Sequence, residues 1–444
     1  MAKFFRLVKN EYIKTLKKLS TKIMLVLVVL AGVALAGIGA FGKHQMSSSN
    51  YYYTEDSHDY YQDQIDWLEM TQPVGYENQI TLYKYLSEAD IEISDSRYEV
   101  AENLAGVFGG SELEGYLDSL FVKDDWKTVC GALKDTAVSE GEKWAYQYRL
   151  DNDIPFGDSW KDEAIEQAAQ AKTALASADT EKLNADEAEQ YKDLEESEQI
   201  ALYRLENNIE LNTADHMSLF DTYEADQIDF WTVFYTSTSM ISIIGLLIIV
   251  VAGSSVASEF SQGTIKFLLI NPVKRWKILM AKYFTVISLG YIMLALLYLV
   301  MIPAIGVFIG FDGISAPYLY VDNGTVCSIS SFLRVAQIYL LNSVSIIIMA
   351  TLAFAISSLF RSSAFSIGIT VFLMLAGNTI VSVLKMFNQD WARYLVFSNT
   401  DLASIAEGTP IFAQQSLSFA IIVLIAHMAV FILTAWDGFV KREV

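Results

Sequence analysis

Hydrophobic positions in this chain gather into six long runs separated by polar stretches. The first, Ile23 to Phe41 (IMLVLVVLAGVALAGIGAF), has nineteen residues without a charged or strongly polar side chain. At about 1.5 Å rise per residue, a helix of that length crosses the roughly 30 Å hydrocarbon layer. Comparable runs follow at about 231–254, 278–311, 335–360, 364–385 and 416–437, so the pattern predicts six membrane spans. The first run is longer than the apolar region of a cleaved signal peptide, about 7–15 residues, and therefore reads as a signal anchor at about 21–42.

Two polar stretches carry helical spacing of their own. In residues 3–19, KFFRLVKNEYIKTLKKL, the side chains Phe4, Phe5, Val8, Tyr12, Leu16 and Leu19 share an arc of about 120°, and every Lys and Arg of the segment lies outside it. This predicts an amphipathic helix at the membrane surface over 1–20. A plain extension of the first span, whose lysines only set topology, is the alternative. Within 43–230, Leu113, Leu117, Leu120, Phe121, Trp126, Val129 and Leu133 repeat at helical spacing. From Trp160 to Leu211 the chain is rich in Ala, Glu, Lys, Gln and Leu, with breaks near Ser177–Thr180 and Asn184–Asp186. That stretch predicts a helical hairpin or two long helices, one of which can run on into the second span. The fold class expected is an all-α integral membrane protein, with six transmembrane helices and a large, mainly helical domain between the first two.

Charge adds an orientation. The 444 residues are 53% hydrophobic and carry a formal net charge of −21. Residues 43–230 hold 43 Asp and Glu against 13 Lys and Arg, while the remainder holds 9 against 18. Two environments share one chain. Basic residues precede the first span (Lys3, Arg6, Lys9, Lys14, Lys17, Lys18, Lys22), join the second to the third (Lys266, Lys274, Arg275, Lys277, Lys282), and recur at Arg361 and at Lys441 and Arg442. All fall on one side of a six-span protein. The bias of Lys and Arg towards the cytoplasm predicts cytoplasmic termini, an extracellular acidic domain at 43–230, and outer loops at about 312–334 and 386–415. The acidic surface either keeps the domain soluble or attracts a cationic ligand such as a basic peptide. Cys130 and Cys327 both fall outside, as two free thiols or as one bridge.

Candidate chemistry is sparse. His44, His58, His216 and His427 form no HExxH or paired-ligand spacing, and neither GxSxG nor GxxxxGK[ST] occurs. The expectation is a non-catalytic chain with no metal or cofactor site of its own and no nucleic-acid partner. At membrane depth, Asn342, Ser345, Asn378, Thr379 and His427 are either pathway residues or interhelix hydrogen-bond partners. Gly32, Ala36 and Ala40 recur every fourth position, on a face that a second helix can approach closely. An ion-coupled carrier would need carboxylates near the midplane, whereas Asp312 and Asp437 lie at span ends.

The loop after the second span is the most informative stretch. In VASEFSQGTIKFLLINPVKR, Gly263 permits a sharp turn, Ile265, Leu268 and Leu269 share a side, and Pro272 ends a short helix at about 263–272. The order E-x-x-x-G-T-I-K-x-L-L-x-x-P-x-x-R, followed by I-L-x-A-K at Ile278 to Lys282, resembles the signature of the ABC-type-two exporter permeases, the membrane subunits of bacterial ABC transporters. The resemblance implies that Glu259, Gly263, Thr264, Lys266, Leu268, Leu269, Pro272, Arg275 and Lys282 form or brace a coupling helix. It also implies a separate ATPase subunit in two copies that carries ATP and Mg, a second permease subunit, identical or related, and a site in the bacterial plasma membrane among its lipids. The exported substrate would be hydrophobic, amphipathic or a peptide. A further implication is a pair of re-entrant helices in Met386–Gln415, although Trp391, Arg393 and Asp401 make that segment polar. The rival class is a membrane-anchored receptor or adhesion protein, for which the arrangement of Glu259, Gly263, Leu268, Leu269 and Pro272 would have no use.

Overall fold

The computed structural model describes residues 2–53, 57–157, 159–178, 185–211, 213, 228–261, 274–413 and 415–441. Among the described residues, six helices are long and apolar enough to cross a membrane: Leu19–Met46, Phe230–Ser255, Arg275–Phe308, Ser331–Phe360, Ser363–Met386 and Leu417–Lys441. The protein is an all-α, multi-pass membrane protein. The third span starts and ends three residues earlier than its apolar run. Lys274 is extended and opens the helix, and Gly310, at φ +119, closes it.

Small side chains set the tightest helix contacts. The first span packs along the third on the face of Gly32 and Ala36, where a Cβ on Gly32 would stand 3.2 Å from Leu297 Cδ1. Ala40 is only half-buried. Gly39 makes the close approach instead, because a Cβ there would meet Val233 Cγ2 at 2.7 Å. The second span packs along the fourth and is broken by a 3-10 turn at Ser237–Met240. There the Ser237 hydroxyl donates to Phe234 O at 2.5 Å and meets Tyr339 Oη at 2.7 Å.

The two ends of the bundle differ. At one end lie the N-terminal helix Ala2–Lys17, the start of the third span and the end of the sixth, where Trp276 stacks on Trp436 at 6.3 Å. The other end carries the acidic domain. Its helices Ser57–Thr71, Tyr76–Glu88, Tyr98–Val107, Gly110–Phe121, Trp126–Thr136 and Glu140–Asn152 enclose a core that includes Leu113, Leu117, Leu120, Val129 and Leu133. Caps fix the helix starts: Asp125 accepts from Thr128 N, and Ser139 and Glu142 form a reciprocal capping box.

Trp160–Ser177 and Ala185–Asn207 form the expected hairpin, clasped by Lys172 and Glu198 at 2.5 Å. The second helix does not continue into the membrane. Asn208 turns left-handed at φ +53, and the buried Arg204 donates to Glu210 O at 2.8 Å. The second span starts afresh at Phe230, capped by Asp229.

Two loops at the end that carries the acidic domain depart from expectation. Residues 317–330 form an antiparallel hairpin, β1 (Pro317–Asp322) and β2 (Thr325–Ser330), turned at Asn323 and Gly324, both with positive φ. Thr213 ties the acidic domain to it through Pro317 O at 3.1 Å, and to the fourth span through Ser331 Oγ at 2.7 Å. Among the described residues of 386–415, the helical pieces are Asp390–Tyr394, Val396–Asn399 and Leu402–Ala406, none longer than five residues. They are too short to be re-entrant helices. Amide side chains replace the missing helical bonds: Asn399 donates to Arg393 O and Leu395 O, and Gln415 to Ser398 O and Asn399 Oδ1.

Candidate functional site

The residues singled out in the sequence fall at opposite ends of the bundle. At the end that carries the N-terminus, the second span gives way to a short helix, Ala257–Ser261, held by a bond from Ala257 N to Ser357 Oγ at 3.0 Å. This points Glu259 inward. Two turns into the third span, Lys282 reaches Glu259 Oε1 at 3.0 Å, and both side chains are 3% exposed. Lys282 also donates to Glu11 Oε2 at 3.0 Å, and Lys14 pairs with Glu259. One face of the N-terminal helix is thus strapped to both flanks of residues 262–273. Arg275 is half-buried at the start of the third span. Gly263, Thr264, Lys266, Leu268, Leu269 and Pro272, with the helix expected of them, lie outside the described residues.

At the opposite end a cavity of about 640 Å³ opens between the second, fourth and fifth spans. The fourth span lines it with Arg334, Ile338, Asn342, Ser345 and Met349, one stripe at steps of three and four residues. The fifth adds Met374 and Asn378, and the broken second span adds Thr236, Ser239 and Ser242. Its mouth is crossed by an ion pair, Arg334 Nη2 to Glu407 Oε1 at 2.6 Å, with the guanidinium 4.6 Å above the Tyr318 ring. Desolvation raises the Glu407 carboxyl above the usual carboxylate range, and the Arg334 charge opposes it. The polar positions lie near the mouth and midway, and the two methionines at the inner end. That order suits a molecule with one polar and one apolar end.

The structure sorts the expected pathway residues. Asn342, Ser345 and Asn378 line the cavity. Thr379 is exposed on the outer surface of its helix, and the His427 ring bonds back to Val423 O at 2.9 Å within its own helix. Glu11, Lys14, Arg334 and Glu407 were not singled out as site residues. Their partners lie 271, 245 and 73 positions away, and no local pattern announces a pairing of that kind. Among the described residues no group of three His, Cys, Asp or Glu comes together as a metal site.

Residues 204–444 match the family described as protein of unknown function (DUF2705). The match takes in the five later spans and leaves out the first span and most of the acidic domain. The chain is 33% identical over 244 residues to the Bacillus subtilis protein named "Uncharacterized protein YhcI", covering 54% of this chain and 74% of that one. It is 32% identical over 199 residues to "Uncharacterized membrane protein YdbK" of the same organism, covering 45% and 76%. No solved structure matches.

Proposed function

We propose, for a chain that belongs to the DUF2705 family, the role of membrane permease subunit in an ATP-driven exporter. The buried Glu259–Lys282 pair carries this reading, because it joins the turn before residues 262–273 to the third span beyond them. A push on that segment would reach two spans together instead of being absorbed by a loose loop. Burying two ions is costly and stabilises little, so a membrane anchor gains nothing from the arrangement, whereas a lever needs its ends fixed.

In this reading the termini are cytoplasmic, the acidic domain is extracellular, and a separate ATPase pair docks at 262–273 and holds the ATP and Mg. A second permease subunit completes the complex. Closure of the ATPase pair would be passed through Glu259 and Lys282 to the second and third spans. The outer cavity would then release an amphipathic or peptide substrate, with Asn342 and Asn378 bonding its polar part and Met349 and Met374 touching its apolar part.

The test is affinity purification of the full chain in mild detergent. A P-loop ATPase should co-purify, and Leu268→Asp with Leu269→Asp should release it while the permease stays folded. Absence of any ATPase, or its retention by the double variant, would leave the receptor reading in possession.

A further inference from the structure

The ion cluster on the N-terminal helix is one anion short. Lys14, Lys18 and Lys282 surround Glu11 and Glu259 at a small cavity of about 30 Å³. Glu259 takes Lys14 and Lys282, and Glu11 takes Lys282. Lys18 makes no ion pair among the described residues and keeps much of its side chain in solvent. Its pKa is nonetheless lowered, first by the packing around its ammonium and then by the charges of Lys14 and Lys282. Lys14 is also 49% exposed, so an ammonium with three donors has capacity beyond its one carboxylate.

An uncovered apolar strip lies on the far side of the same helix and continues onto the start of the first span: Phe5, Leu16 and Leu19 are 66%, 38% and 72% exposed. Lys18 stands where this helix meets the first span, so it sits at the depth of lipid headgroups. We propose that Lys14 and Lys18 bind the phosphate of an anionic phospholipid, and that the bilayer itself covers Phe5, Leu16 and Leu19. The phosphate balances the cluster, and the acyl region takes the apolar strip. Lipid charge thereby sets the position of a helix whose Glu11 and Lys14 hold Lys282 and Glu259. This holds whether or not an ATPase docks nearby.

The experiment is thermal melting of the purified full chain in mild detergent, titrated with phosphatidylglycerol, phosphatidylcholine or inorganic phosphate. Phosphatidylglycerol should raise the melting temperature saturably, and the other two should not. Lys18→Gln breaks no protein ion pair and should weaken the lipid's half-saturation about fivefold. Lys18→Arg should restore it, and Lys134→Gln in the acidic domain should leave it unchanged. An equal response to phosphatidylcholine, a wild-type response from Lys18→Gln, or a full response to inorganic phosphate alone would overturn the proposal.

Discussion

Glu259 is the residue on which most of the bundle end that carries the N-terminus depends. It is buried, it accepts from two lysines that start 245 and 23 positions away, and its removal would leave Lys282 with Glu11 as its remaining carboxylate. Breaking a buried pair from one side costs about 3–5 kcal/mol, and the surviving Glu11 contact places Glu259→Ala near the lower figure. Replacing both Glu259 and Lys282 with apolar residues should cost less than this single change. Denaturation of the three variants in detergent measures the order, and a double variant worse than Glu259→Ala would refute it. The cysteines offer a second test at this scale. Both are free thiols, but Cys130 is buried, donates to Tyr146 O at 3.3 Å, and is pushed by burial up to about 11. At pH 8 roughly one such thiol in a thousand would be thiolate, the reactive form. A maleimide should therefore label Cys327, on the half-buried β2 strand, and reach Cys130 only on unfolding or as pH rises towards 11. Equal labelling of both at pH 8 in the native protein would count against the burial of Cys130.

At the scale of elements, periodicity made the helices legible and partner choice stayed hidden. Long apolar runs had one physical solution in a membrane, since a spanning segment must satisfy its own backbone. The hairpin at 317–330 was missed although its signal was present: YLYV and TVCSI flank Asn323-Gly324, and both turn residues adopt the positive φ that such a turn requires. Helix contacts made through glycine were legible only as a possibility of close approach, as at Gly32, and their tightest instance lies elsewhere. A Cβ on Gly141 would stand 1.9 Å from Ala169 O, on the backbone of the neighbouring helix Trp160–Ser177. No side-chain adjustment relieves a backbone clash, so Gly141→Ala should separate the two helices and destabilise the domain by about 3 kcal/mol. Gly131→Ala, on the helix Trp126–Thr136 with open space around it, should be neutral or slightly stabilising. A melting comparison of the two variants decides the matter, and similar melting temperatures would mean that the helices are not in this contact.

For the whole molecule, the cavity at the end that carries the acidic domain is where local pattern and long-range assembly meet. Asn342, Ser345 and Asn378 were visible because polar groups interrupt apolar runs, and the chain could not hide them from lipid without a shared interior. Arg334 and Glu407 were not visible, since charge at a span end is what any membrane protein shows, and only folding brings them to 2.6 Å. The side-chain amides of Asn342 and Asn378 have no protein hydrogen-bond partner among the described residues, and both line the cavity. At membrane depth an amide left unbonded is costly, so the two amides favour a cavity that water can enter. In a Cys130→Ser, Cys327→Ser background, Asn342→Cys and Asn378→Cys should therefore react with a membrane-impermeant maleimide added from the side that bears the acidic domain. Phe372→Cys, on the uncovered apolar surface of the fifth span, should not. Opening the mouth with Arg334→Gln should speed the reaction at position 342, because the Arg334–Glu407 pair stands between that position and the solvent. If positions 342 and 372 react alike, or if position 342 reacts only from the side that bears the termini, the cavity does not open where this arrangement places it.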